Sequence, residues 1–316
     1  MQQQLTLEDF RRWGSIGGKI SRRELKPRQA RIMALHSAAA RRSHSRPVTQ
    51  SNVKGKCAHG TEEWAAHNVN IQVGCAHDCK YCYAKCMAIR FKRSTPNGWS
   101  RPKIMKEKVG NGYGKKYGRI MFPTTHDITP DNITECVTVL VNMLEADNDV
   151  LVVSKPHLSC VKELCRACVD FRNQILFRFT IGSTDNRLLK YWEPNAPAFQ
   201  ERLDALKWAF FDGFSTSVSS EPMLDGKVDA LVTAVRPYVT DAIWLGRVNQ
   251  LGAAISINCP RDGHARDRAR ELLDLHNDDW IRALYRKYCD DDKVKWKDSI
   301  KKVVGLKRPT RKGLDI

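Results

Sequence analysis

The chain has 316 residues, 42% of them hydrophobic and eleven of them cysteine, enough to bury a sizeable core in one large domain or two medium ones. No apolar run approaches the ~18 residues of a membrane span, and Met1-Gln2-Gln3-Gln4-Leu5 lacks the basic-then-apolar build of a secretory signal. The cysteines therefore point to a reducing cytoplasm and to metal rather than to a disulfide scaffold, and a net charge of +18 favours a polyanionic partner.

The charge is clustered. Residues 1–60 carry 13 Lys/Arg against 3 Asp/Glu, residues 90–119 carry 10 against 1, and residues 293–316 carry 9 against 2, so the rest of the chain is net acidic at −8. A neutral-to-acidic body with basic extensions is the layout of a nucleic-acid-binding protein; solvated basic termini that contact nothing are the plainer alternative.

In chain order, residues 5–45 read as two short helices. Thr6 caps the first, and Gly14, Gly17 and Gly18 separate it from the second. From Ser21 to Arg42 the second sets Arg22, Arg23, Lys26, Arg28 and Arg31 around a small apolar face of Leu25, Ile32 and Leu35. Without aromatics that face suits nucleic acid better than a membrane. Residues 43–58 read as a linker, with Cys57 and His59 as bystanders. Val69–Val73 alternates as a strand and leads into a cysteine-rich loop. Residues 90–119 then interleave cations with rings, among them Arg93, Trp99, Lys115, Lys116 and Tyr117, and Gly110, Gly112 and Gly114 loosen the segment. Cations for phosphates and rings for stacking mark a single-strand or extruded-base site, or else an ordinary basic surface loop.

Further strands follow at 120–122, 150–153, 175–181, 214–218 and 243–245, each ending in polar residues, with helices at 131–146, 158–172, 197–211 and 226–236 between them. Six apolar strands with helical crossovers imply a parallel sheet of the α/β class, a partial (β/α)6 TIM-like barrel whose chemistry sits at the strand C-termini. Residues 264–303 read as charged helix, and Lys293 to Ile300 as the opening of a basic tail. The division expected is a basic helical N-terminal extension and linker at 1–60, the barrel at 61–263 and a helical C-terminal region at 264–316.

The chemistry lies in Gly74-Cys75-Ala76-His77-Asp78-Cys79-Lys80-Tyr81-Cys82-Tyr83-Ala84. Cys75, Cys79 and Cys82 have C-x3-C-x2-C spacing, and three thiolates from one loop can hold three irons of a [4Fe–4S] cluster, leaving the fourth iron open. Zinc is the rival, but zinc sites pair two cysteine doublets or add histidines, and no partner doublet lies at a typical distance.

The loop resembles the radical S-adenosylmethionine (SAM) superfamily, and its Tyr81 and Tyr83-Ala84 are similar to the spore photoproduct lyase branch. Trp192-Glu193-Pro194-Asn195-Ala196-Pro197 with Arg202 to Leu206 is similar to the same branch. Ser220 to Leu224 and Trp296 to Ile300 are similar to phage-type radical SAM proteins related to it. The resemblance covers roughly 68–303 and implies a [4Fe–4S] cluster on Cys75, Cys79 and Cys82 whose open iron binds SAM, with a 5′-deoxyadenosyl radical as the reactive species. It also implies an electron donor such as a flavodoxin or ferredoxin. Carried onto this chain, it puts Tyr81, His126, Asp127, Ser183 and Glu221 beside SAM, although Thr125-His126-Asp127 stands where many relatives have Gly-Gly-Glu. Asp127 as a helix cap and Ser183 and Asp185 as turn residues are the plainer readings.

Cys86, one helical turn past Cys82, is a candidate hydrogen-atom donor or fourth ligand. Cys160, Cys165 and Cys168 raise the idea of an auxiliary cluster, but lie on one helix where cysteines commonly pack as small apolar groups. Together these features lead to an expected radical SAM enzyme acting on a nucleic acid base. The alternatives are one acting on a peptide or small molecule, and a non-catalytic nucleic-acid-binding iron–sulfur protein.

Overall fold

The computed structural model describes residues 60–314, which belong to a compact unit spanning 57–316. The N-terminal helices, the linker with Cys57 and His59, and Arg22, Arg23 and Arg28 lie outside the described residues. The strands are β1 (His67–Asn68), β2 (Gln72–Val73), β3 (Lys103–Ile104), β4 (Ile120–Phe122), β5 (Val150–Ser154), β6 (Ile175–Thr180), β7 (Ser215–Ser220), β8 (Ile243–Leu245) and β9 (Val294–Trp296). Seven make one parallel sheet in the order β1-β4-β5-β6-β7-β8-β9, and β2 and β3 form a separate antiparallel ribbon.

Side-chain alternation builds two layers from this sheet, because successive strand residues face opposite sides. One set, including Phe122, Val152, Phe177, Val218, Leu245 and Trp296, packs under the crossover helices Ile133–Glu145, Leu158–Ala167, Phe199–Phe211 and Val228–Val235. The other set, Met121, Leu151, Leu176 and Trp244, packs with Trp64 on the concave side. Arg178 of β6 joins that inner layer, fully buried, with its guanidinium 4.7 Å from the Trp64 ring and 5.2 Å from Trp244. Its charge is met by Asp241 at 2.9 Å and by the Ser217 hydroxyl at 3.0 Å. Two tryptophans and a paired cation thus fill the inside of the curved sheet, as packed side chains fill a barrel core.

The sheet does not close, since β1 and β9 do not pair. Residues 60–66 reach both edges: the Ala66 N–H donates to the Arg119 carbonyl beside β4, and Lys297, just after β9, donates to the Gly60 carbonyl at 3.0 Å. Lys297 also pairs with Glu63 at 2.9 Å and lies 3.8 Å from the Trp64 ring.

Two expectations are corrected. Of the strand expected at 69–73 only Gln72–Val73 forms, turning away to pair with Lys103–Ile104, while His67–Asn68 just before it joins the main sheet. The basic tail expected from Lys293 onward opens with a seventh sheet strand, in which Val294 and Trp296 face the helix layer. Three of its cations are ion-paired, with Lys302 and Arg308 on Asp298 and Lys312 on Glu62. Among the described residues no helix is long and apolar enough to cross a membrane.

Trp244→Ala removes a fully buried indole from the inner layer. Such a cavity costs about 3–5 kcal/mol, and a thermal melt should fall by on the order of 10 °C.

Candidate metal centre

The cysteine loop leaves the sheet after β1 and turns on Gly74. That residue has φ of 97°, and a Cβ there would lie 2.6 Å from the Trp99 carbonyl oxygen. The same carbonyl accepts from the Cys75 N–H at 2.9 Å, so the glycine permits the approach that anchors the first cysteine. Asp78 adopts a left-handed φ of 49° and accepts from the buried Lys85 ammonium at 2.7 Å. Cys82 is the N-cap of the helix Tyr83–Arg90, its sulfur accepting from the Lys85 N–H at 3.4 Å. Helix N–H groups aimed at a sulfur favour the thiolate.

The segment 192–202 brackets this loop from outside. The Lys80 N–H donates to the Trp192 carbonyl at 2.9 Å, and the Asn195 amide to the Ala76 carbonyl at 2.9 Å. The Tyr81 hydroxyl donates to Glu193 over a short contact. Arg202 donates to the other Glu193 oxygen at 2.5 Å, to Pro197 O at 2.8 Å and to Thr180 O at 3.2 Å. Both side chains of this ion pair are 0% exposed. A third brace comes from Asn258, whose amide donates to the carbonyls of Lys80 and Cys82, each at 2.9 Å.

The three thiols face a buried pair of charges. Asp127 Oδ2 lies 2.8 Å from His77 Nδ1 and 3.1 Å from Lys155 Nζ, and its Oδ1 accepts from the Lys155 N–H at 2.9 Å. Burial opposes the charge on Asp127, but Lys155 and His77 hold its carboxyl well below the usual range. Burial likewise opposes the charge on Lys155, but Asp127, with Cys79, Tyr81 and Glu193 beside it, raises the ammonium well above its usual range. A hydrogen-bonded row continues outward, with His77 Nε2 2.9 Å from His157 Nε2 and His157 3.5 Å from Glu201.

Burial pushes the Cys75 thiol up to about 12 and raises Cys79 and Cys82 as well, while Lys155 opposes that rise in all three. Three soft donors around one fixed cation fit a thiolate-bound, net-negative cluster, whose binding displaces the thiol protons. They fit zinc poorly. Tetrahedral zinc with Zn–S of ~2.3 Å brings sulfurs to about 3.8 Å of one another. Among the described residues the one trio of His, Cys, Asp or Glu donors within 4.8 Å is instead Cys75, His77 and Asp127, where Lys155 already neutralises the carboxylate.

The expected site residues divide. Tyr81, Asp127 and Glu221 stand around the strand C-termini, with Glu221 3.3 Å from Lys297. His126 has a different job: Nε2 accepts from the Ile71 N–H at 3.2 Å, and Nδ1 lies 3.1 Å from the Asp127 carbonyl. Burial lowers its pKa to about 4, so it is a neutral brace with both nitrogens used. Ser183 is also engaged locally, donating to Asp225 at 2.5 Å and accepting from the Asp185 N–H at 2.8 Å, as a turn residue does. Trp99, expected on nucleic acid, is 2% exposed and packs against Cys75, Ala84 and Ala88. Arg93 and Tyr117 are exposed, Lys115 pairs with Asp147 at 3.1 Å, and the Lys116 N–H donates to Asn148. Cys86 is half-buried one turn beyond Cys82. Cys160, Cys165 and Cys168 belong to the main core beneath the helices, and burial raises all three thiols.

Lys155 and Tyr83 were not singled out from sequence. Lys155 directly follows β5, a strand-end position that can signal a site. The Tyr83 hydroxyl donates to the Thr124 carbonyl at 2.5 Å; enclosure of that end pushes its pKa up, with Cys82 and Glu221 adding to the rise. The phenol therefore stands between the cysteine loop and the end of β7.

No family model matches the chain. An uncharacterized protein of Methanocaldococcus jannaschii is 23% identical over 186 residues, 55% of this chain and 67% of that one. Among solved structures, a mutant of spore photoproduct lyase superposes with a TM-score of 0.51 at 14% identity, over 78% of this chain and 80% of the other. Streptococcus suis SuiB bound to its precursor peptide SuiA gives a TM-score of 0.47 at 9% identity, over 87% of this chain and 63% of that one. The chain shares the fold of spore photoproduct lyase: a mixed α/β architecture on a parallel, unclosed sheet.

Two substitutions test the geometry of the loop. Gly74→Ala should cut iron bound after anaerobic reconstitution, read by iron assay and the visible absorption of the cluster. Glu193→Ala leaves Arg202 buried without its counter-charge, which costs about 3–5 kcal/mol in a denaturant melt.

Proposed function

We propose that the protein is a radical SAM enzyme that acts on a nucleic acid base. The observation that carries the first part is the set of three cysteines around the buried Lys155–Asp127 pair at the C-terminal end of a parallel sheet. Cys75, Cys79 and Cys82 would hold a [4Fe–4S] cluster with SAM bound beside it. Bound and reduced, cluster and SAM would supply a radical able to remove hydrogen from an unactivated carbon.

The chain's own residues bind and orient. Asp127 and Lys155, 3.1 Å apart, offer a carboxylate and an ammonium complementary to the zwitterionic end of an amino acid. Tyr81 keeps the loop in register through Glu193, and Trp99 and Ala88 keep water from the Cys75 side. Glu221, at the end of β7, is placed for hydroxyl groups of the ribose, its carboxyl held above the ordinary range by burial against the pull of Lys297. Reduction needs an external one-electron donor of the flavodoxin or ferredoxin type.

The nucleic acid part rests on charge. The segment 90–119 carries +9 next to the cysteine loop, and residues 1–60 carry +10. A base held in a duplex has to be flipped to reach the C-terminal end of the sheet.

The test is anaerobic reconstitution with iron and sulfide, then SAM and dithionite, with 5′-deoxyadenosine measured with and without DNA or RNA oligonucleotides. Product that rises with nucleic acid and vanishes in Cys79→Ala is the expected result. Product indifferent to nucleic acid moves the substrate to a peptide or small molecule, and no product from cluster-loaded protein leaves a binding protein. Lys155→Arg should keep the buried cation, and with it the iron, yet lose roughly 10–100-fold in product, the worth of a displaced charge-assisted hydrogen bond to the cofactor.

A further inference from the structure

The helix Tyr83–Arg90 starts at the third cysteine of the cluster loop and carries an unusual outer face. Of eight exposed large hydrophobic residues among the described ones, three stand on this helix or at its end: Tyr83 at 54% exposure, Met87 at 39% and Phe91 at 60%. Their spacing is i, i+4, i+8, so they form one row rather than three scattered side chains. The row starts where the Tyr83 hydroxyl meets the Thr124 carbonyl, just past β4 at the C-terminal end of the sheet, and runs outward for about 12 Å at 1.5 Å per residue.

Its surroundings select the partner. No Asp or Glu occurs between Asp78 and Glu107, whereas that interval holds eight Lys/Arg. Arg90, Lys92 and Arg93 are exposed beside Phe91, and the Arg93 guanidinium lies 6.0 Å from the Phe91 ring. A row whose outer end at Phe91 is edged by cations, with Glu221 and Asp127 near only its Tyr83 end, suits a polyanion that also offers flat faces for stacking. An apolar protein surface would leave those cations without counter-charge, and residues 1–60, at +10, do not complement this face.

We propose that Tyr83, Met87 and Phe91, with Arg90, Lys92 and Arg93, form a landing platform on which unpaired nucleotides stack on their way to the cluster. This rests on the nucleic acid reading above and assigns it a surface. Trp99, the ring that the sequence offers for stacking, is buried, and this row stands exposed in its place.

The test uses the cluster-loaded full-length protein under anaerobic conditions, with a fluorescein-labelled 15-nucleotide single-stranded DNA, and the RNA of the same sequence, followed by anisotropy at several salt concentrations. Phe91→Ala should weaken binding by roughly tenfold, as loss of stacking does, and Met87→Ala by less, both without changing the salt slope. Arg90→Gln and Arg93→Gln should each flatten the slope by about 0.7, as loss of one phosphate contact does. Iron content and 5′-deoxyadenosine formed without oligonucleotide should match wild type in all four, which excludes misfolding. Wild-type binding that none of the four variants alters would overturn the platform and leave the nucleic acid reading standing. No binding by wild type would overturn both. A wild-type dimer that Phe91→Ala converts to monomer in sedimentation would also overturn the platform, because the occupant would then be a second copy of the chain.

Discussion

The cysteine loop owes its position to one ion pair from which water is wholly excluded. Arg202 and Glu193 are each 0% exposed, and an isolated charge at either place would be strongly destabilising. The pair is tolerable because its hydrogen-bonding groups find partners: Arg202 reaches the carbonyls of Thr180 and Pro197, and Glu193 receives Arg202 on one oxygen and Tyr81 on the other. Thr180 is the last residue of β6, while Tyr81 sits between the second and third cysteines. The ion pair therefore transmits the rigidity of a central strand to a loop that has little regular structure of its own. Lys155 and Asp127 repeat the device just past β5 and β4, so the cysteine loop rests against fixed charges on two sides.

Much of this was legible in the sequence. The strands β4, β5, β6 and β8 stand out as short apolar runs, because a sheet covered by helices on one face and packed side chains on the other has few polar positions, whereas β7, Ser215–Ser220, has Val218 as its one apolar residue. The C-x3-C-x2-C spacing marks the cysteine loop by itself as the candidate site. The motif Trp192-Glu193-Pro194-Asn195 is visible as a resemblance, but its use as a bracket is not, since nothing local links residue 193 to residue 81 across 112 positions.

The misreadings share a cause. Val294-Lys295-Trp296 looks like part of a charged tail because two lysines flank its tryptophan, yet the lysine side chains lie against the indoles of the inner layer, with Lys295 5.5 Å from the Trp244 ring. Trp99 looks like a stacking ring because its neighbours are basic, yet it closes over Cys75. Composition reports what a segment carries; it does not report which side faces inward. His126 and Ser183 are polar groups at strand ends, where both chemistry and turn-making select such residues, and only partner geometry separates the two uses.

An unclosed sheet has two unpaired margins, and exposed backbone donors and acceptors along them invite strands from other molecules. Here the margins are only two residues long at β1 and three at β9. The stretch from Gly60 to Ala66 binds to both sides of the opening, and Gly313 donates to the Glu62 carbonyl at 2.8 Å. The curved sheet is thereby shielded against edge-to-edge aggregation without being sealed into a cylinder.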